Sequence, residues 1–253
     1  LAATIFAMTQ ALPAWLVVRQ ILLQRSPGIT GGGDEEEEQK GNVEWFPIGD
    51  TLCWLTMLAA AALVAAAMAG LSRGEGLSIL ISDNLEQLLQ AMAPQWDPGQ
   101  RAEIVAIMVP MFPGAIGASW LVMTIVNATL AQGILVRWST PIRPTPSYSG
   151  LQLPQWISWP LIAAALLALL GSGEMEYTGR NLAMILAVPF FFLGLAVIHT
   201  WAQRTPYTGP ALVAFYLVLI LSGWAALIVA GIGVFELWSG LRRLMGGASN
   251  DNH

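Results

Sequence analysis

Polar side chains are scarce enough inside the long apolar runs of this sequence that each is a candidate for chemistry. Asn127 is the clearest. It lies midway between Pro113 and Arg137, where a spanning helix would place it near the bilayer centre, and an uncompensated amide there is costly. Thr124, three residues earlier, shares its face. The two are suited to line a central cavity and hydrogen-bond a small molecule. The commoner use of such an amide is a helix–helix hydrogen bond, worth about 0.6 kcal/mol. His199 and Glu236 are suited to proton exchange if their helices meet. Each also lies within a turn or two of a helix end, near Arg204 and Arg242, where interfacial anchoring is the more frequent role. Ser222 adds a hydroxyl in the last apolar run. Asn127, Thr124, Ser222, His199 and Glu236 are therefore the candidate binding residues.

No catalytic residue is expected. A phosphate loop is missing, because Lys40 follows Glu-Gln and not a glycine turn. Histidines at 199 and 253 cannot form HExxH, no GxSxG elbow occurs, and Gly49-Asp50 lacks the first glycine of a GxGD protease motif. Two histidines and the lone Cys53 build neither a histidine-rich metal site nor an intrachain disulfide. Nothing in the pattern calls for a cofactor.

The elements that must carry these residues follow from composition. Of 253 residues, 55% are hydrophobic and 11% charged, against about 25% charged in a soluble domain. Charges are segregated: only Arg19 and Asp50 fall inside six long apolar segments, and Glu236 sits at the margin of the last. The segments are 1–23, 48–71, 113–136, 154–171, 181–202 and 210–235. A spanning helix needs about 20 apolar residues. The fold expected is an all-α polytopic transmembrane bundle of about six membrane helices in a single domain over 1–245, with a flexible tail at 246–253. Trp45, Trp138, Trp156, Trp159, Trp201 and Trp238 fall near segment ends, where an indole sits at headgroup level. Leu1 stands in an apolar run without an initiator Met, so the chain reads as a fragment lacking N-terminal membrane helices.

The connections differ in kind. Residues 26–41 are Gly-rich and acidic and read as a disordered loop. Its five consecutive acids account for the whole net charge of −5. A basic face for nucleic acid is missing, and with one lysine so is a polybasic lipid-binding tail. Over 77–93, Leu77, Ile81, Leu85, Leu88, Leu89 and Met92 recur at helical spacing opposite Ser82, Asp83, Glu86, Gln87 and Gln90. The spacing predicts an amphipathic surface helix, capped by Ser82 or Asp83 and ended by Pro94, docked on the protein's own helices. Pro110 and Pro113 predict an entry helix turning into a spanning one, and Pro189 predicts a kink. Arg180 and Asn181 read as interfacial. Ala62, Ala66 and Gly70, like Ser222, Ala226 and Ala230, form small-residue stripes that allow close approach within the bundle or to other membrane proteins. Basic residues divide six against five between the two sides and leave orientation undecided.

Several motifs in order resemble one family: Ala11-Leu12-Pro13-Ala14-Trp15, Glu44-Trp45-Phe46-Pro47-Ile48-Gly49, Pro113-Gly114 leading to Asn127, Leu153-Pro154-Gln155-Trp156, Gly179-Arg180-Asn181-Leu182 and Pro189-Phe190-Phe191. Together they resemble the YybS-like family of predicted bacterial membrane proteins, a domain of unknown function. That family is distantly similar to the S components of energy-coupling-factor transporters and to the rod-shape protein MreD. The resemblance implies a compact helical bundle in a bacterial cytoplasmic (inner) membrane. It implies either a small-molecule-binding transporter subunit or a non-catalytic scaffold that recruits membrane partners.

Overall fold

The computed structural model describes residues 10–21, 24–25, 44–138 and 150–242. The expected acidic loop, the C-terminal tail and residues 1–9 and 22–23 of the first apolar segment lie outside these residues. The described elements are α1 (Leu12–Ile21), a two-residue antiparallel pair β1 (Gln24–Arg25) and β2 (Glu44–Trp45), α2 (Ile48–Ser72), α3 (Leu77–Met92), α4 (Pro98–Met108), α5 (Phe112–Trp138), α6 (Ser158–Leu170), α7 (Glu174–Leu186), α8 (Val188–Ala202), α9 (Thr208–Leu221) and α10 (Ala225–Ser239). It is a helical membrane protein, as expected.

The six apolar segments do not each form a continuous spanning helix. Among the described residues three helical runs are long and apolar enough to cross a bilayer: Ile48–Ser72, Pro98–Trp138 and Glu174–Ala202. The fourth segment forms only Gln155–Leu170, about 24 Å of helix. The sixth is two helices, α9 and α10, bent by 118°. The break falls at Ser222-Gly223, where glycine weakens a helix interior by about 1 kcal/mol and the Ser222 carbonyl turns to accept from Ala225 N–H at 2.9 Å.

α2 is the central helix. Its Leu55 and Leu63 join Leu121 of α5 and Ile185 and Leu186 of α7 in one apolar cluster. One turn round, Leu52 and Cys53 join Leu153, Ile157, Phe190 and Leu193 in a second. α8 and α10 pack closely and antiparallel. A Cβ added at Gly194 would lie 1.9 Å from the Val229 carbonyl oxygen, and one at Gly233 would lie 1.8 Å from that of Phe190. Trp138, Trp156, Trp159, Trp201 and Trp238 are all exposed near helix ends.

α3 follows the predicted periodicity from Leu77 to Met92, with Leu77 and Leu85 buried. Its start differs from expectation. Gly76 occupies the N-cap and has no side chain to offer; the acceptor comes instead from Glu174 of α7. Glu174 accepts from the Ser78 N–H at 3.2 Å and from the Ser78 hydroxyl. A carboxylate at a helix start satisfies orphan N–H groups and opposes the helix dipole. Glu174→Ala should therefore loosen α3 alone, with proteolytic cleavage within 77–97 several-fold faster and the melting midpoint nearly unchanged. Wild-type cleavage rates would remove Glu174 as the anchor.

Candidate functional site

The densest polar cluster surrounds the proline break. Residue 113 is a proline, so the carbonyl of Val109 lacks its helical N–H donor. The Tyr177 hydroxyl donates to that carbonyl at 3.0 Å. The Gly114 N–H donates to Asn181 Oδ1 at 2.8 Å, and Asn181 Nδ2 donates to the Pro110 carbonyl at 3.1 Å and to its own helix at Tyr177 O, 2.8 Å. Asn181 is fully buried, and its carbonyl and both amide hydrogens are engaged. Gly114 is required because a Cβ there would lie 2.9 Å from Asn181 oxygens. The expectation of an interfacial Asn181 is thus corrected. Only Arg180 beside it is interfacial in character, paired with Glu176 at the half-exposed start of α7. The Tyr177/Asn181 spacing of four, facing a double proline, was the signal available in the sequence.

The helices of His199 and Glu236 do meet, but the two side chains do not. With Gly194 beside Val229 and Gly233 beside Phe190, the antiparallel register places them at opposite ends of the α8–α10 pair. Glu236 is buried. Its carboxylate accepts from Arg242 Nε at 2.7 Å and Arg242 N–H at 3.1 Å. Arg242 Nη2 in turn donates to the Leu151 carbonyl at 2.6 Å. Gly240, at φ +61°, reverses the chain so that Arg242 folds back on Glu236. His199 instead meets Tyr216 of α9: its Nδ1 lies 2.9 Å from the Leu195 carbonyl and its Nε2 3.3 Å from the Tyr216 hydroxyl. Nδ1 therefore carries the proton and Nε2 accepts from tyrosine.

Among the described residues none covers Asn127. It is exposed on the outer face of α5, while the Thr124 hydroxyl donates to Trp120 O at 2.8 Å within its own helix. The reason is geometric: the neighbours of α5 take its Gly114 and Leu121 side. The Ser222 hydroxyl is enclosed at the α9–α10 break with no hydrogen-bond partner. In the first small-residue stripe Ala62 and Ala66 face outward and only Gly70 is buried; in the second Ala230 is buried. The tight contacts fall on Gly194 and Gly233, which the stripes did not include. Among the described residues no group of three or more His, Cys, Asp or Glu is placed to hold a metal ion.

The arrangement is that of polar groups closing a helix break and fastening helix ends, with one amide turned outward. The family model described as Predicted membrane protein (DUF2232) matches residues 48–237, from the start of α2 to the last turn of α10. No curated protein and no solved structure matches the chain.

Proposed function

The chain belongs to this family of predicted membrane proteins, and from that premise we propose that it is a non-catalytic assembly subunit, similar in role to MreD, that holds a partner helix within the bacterial inner membrane. Asn127 carries the reading. It stands about 22 Å from the start of α5 at Phe112 and about 16 Å from its end at Trp138, on the exposed side with Met123, Val126, Leu130 and Ile134. Facing hydrocarbon, its carboxamide leaves two donors and an acceptor unsatisfied. A helix laid along this face supplies them. The span containing α5 is also the least buried of the three.

A photo-crosslinking amino acid at Val126 or Leu130 in cells should capture one reproducible membrane protein. Asn127→Leu should weaken that association about tenfold, the equivalent of about 1–2 kcal/mol for an interhelical polar contact. Capture of lipid alone at both positions would sink the proposal. The second reading is a small-molecule-binding subunit similar to S components. The enclosed, unpartnered Ser222 hydroxyl favours it, and a small molecule retained by the purified protein in a native mass spectrum would raise it above the first.

A further inference from the structure

We propose that α9 is a flap closing one end of the α8–α10 pair, latched by the hydrogen bond from the Tyr216 hydroxyl to His199 Nε2. The topology comes from the register: α8 and α10 run antiparallel with Gly194 against Val229 and Gly233 against Phe190. The first turn of α10 at Ala225 therefore lies beside the last turns of α8. α9 leaves the bundle after Ala202 and returns at Ala225 on the same side, so it makes an excursion and not a crossing. The 118° bend into α10 agrees with this path.

None of the residues of α9 is buried, so little apolar contact holds it down. Its two ends differ. At the first, the Thr208 hydroxyl donates to Ala202 O and Thr205 O, both at 3.1 Å, and the Thr205 hydroxyl donates to Ala202 O at 2.7 Å. That corner is a fixed pivot. At the second, a Cβ at Gly223 would meet nothing within 4 Å; packing does not demand glycine there, and what it supplies is backbone freedom in the turn.

Between its two ends, α9 reaches α8 through the Tyr216–His199 pair. The rings stand edge to face at 5.9 Å and the hydrogen bond spans 3.3 Å. His199 is prepared for this role because its Nδ1 is occupied by the Leu195 carbonyl at 2.9 Å, which leaves Nε2 as a bare acceptor aimed at α9. Opening swings α9 about the Thr205–Thr208 corner, with the turn at Gly223 taking up the change. It leaves the glycine-mediated α8–α10 contact intact and uncovers the His199 Nε2.

Amide hydrogen exchange on the purified full chain tests this, comparing wild type with Tyr216→Phe, His199→Ala and the double variant. Each single variant should accelerate exchange over 208–221 by about three- to tenfold, the range for loss of one hydrogen bond. Exchange over 188–202 and 225–239 should not change. The double variant should exchange no faster than either single one, because both remove the same contact. Tyr207→Phe, at an exposed tyrosine beside the fixed corner, should match wild type. Acceleration spread equally over all three helices, no acceleration in 208–221, or an additive double variant would overturn the latch.

Discussion

Gly233→Ala should melt far below the wild-type protein, by about 3 kcal/mol or more, whereas Gly231→Ala two residues away should be neutral or stabilising. Helix propensity alone favours alanine by about 1 kcal/mol at either site, so the two substitutions are equivalent in sequence terms. Packing separates them. The new methyl at 231 meets nothing within 4 Å, but at 233 it would lie 1.8 Å from the Phe190 carbonyl oxygen and 2.9 Å from the Gly194 nitrogen. Both obstacles are backbone, which cannot turn aside as a side chain can. α8 and α10 must move apart along their whole contact, and overpacking of this kind costs about 1–3 kcal/mol even where side chains can yield. Thermal unfolding in detergent, followed by tryptophan fluorescence and size exclusion, measures the difference. A Gly233→Ala midpoint at or above wild type would show that the close α8–α10 contact is wrong.

The second large effect is expected at Asn181. Asn181→Leu removes the acceptor for the Gly114 N–H and the donor to the Pro110 carbonyl at a fully buried position. At about 1–3 kcal/mol for each unsatisfied buried group, the loss is about 3 kcal/mol after partial relaxation. Asn181→Asp should be worse, since it turns carboxylate oxygens toward the two carbonyls the amide now serves. Tyr177→Phe, which removes one bond to Val109 O, should cost about 1 kcal/mol. This ordering, Asp below Leu below Phe, distinguishes the hydrogen-bonded clamp from simple loss of volume. An Asn181→Leu protein as stable as wild type would reduce the cluster to an accident of packing.

What could be read in advance divides along physical lines. The period and phase of α3 were legible because one face is apolar and the other polar; its cap was not, because the acceptor comes from Glu174, 96 residues away. At Pro110–Pro113 the local loss of N–H donors was legible, but the expected turn from one helix into another is only a 3-10 turn at Val109–Met111 within the continuous run Pro98–Trp138. The direction of Asn127 was not legible, because α5 is apolar all round and a helix without a polar side gives no azimuth. The role of Asn181 was not legible because its partners lie 67 and 71 residues away. The division of 210–235 into two helices was masked by its unbroken hydrophobicity: hydropathy measures transfer into lipid and is blind to a single Ser-Gly corner. Polarity and depth mark the five candidate binding residues, and neither says which side of a wall a residue stands on.

The short sixth helix has a consequence for the lipid around it. Gln155–Leu170 offers about 24 Å of apolar length and α10 about 22 Å, against a hydrocarbon thickness of about 30 Å. α2, at about 37 Å, has length to spare. A molecule with unequal walls cannot be matched by any uniform bilayer. Where each of these helices crosses the bilayer, acyl chains beside the short ones compress and those beside α2 relax, so the mismatch becomes a local gradient in membrane thickness. Mismatch of this kind costs fractions of a kcal/mol per Å and is felt by the lipid as well as by the helix.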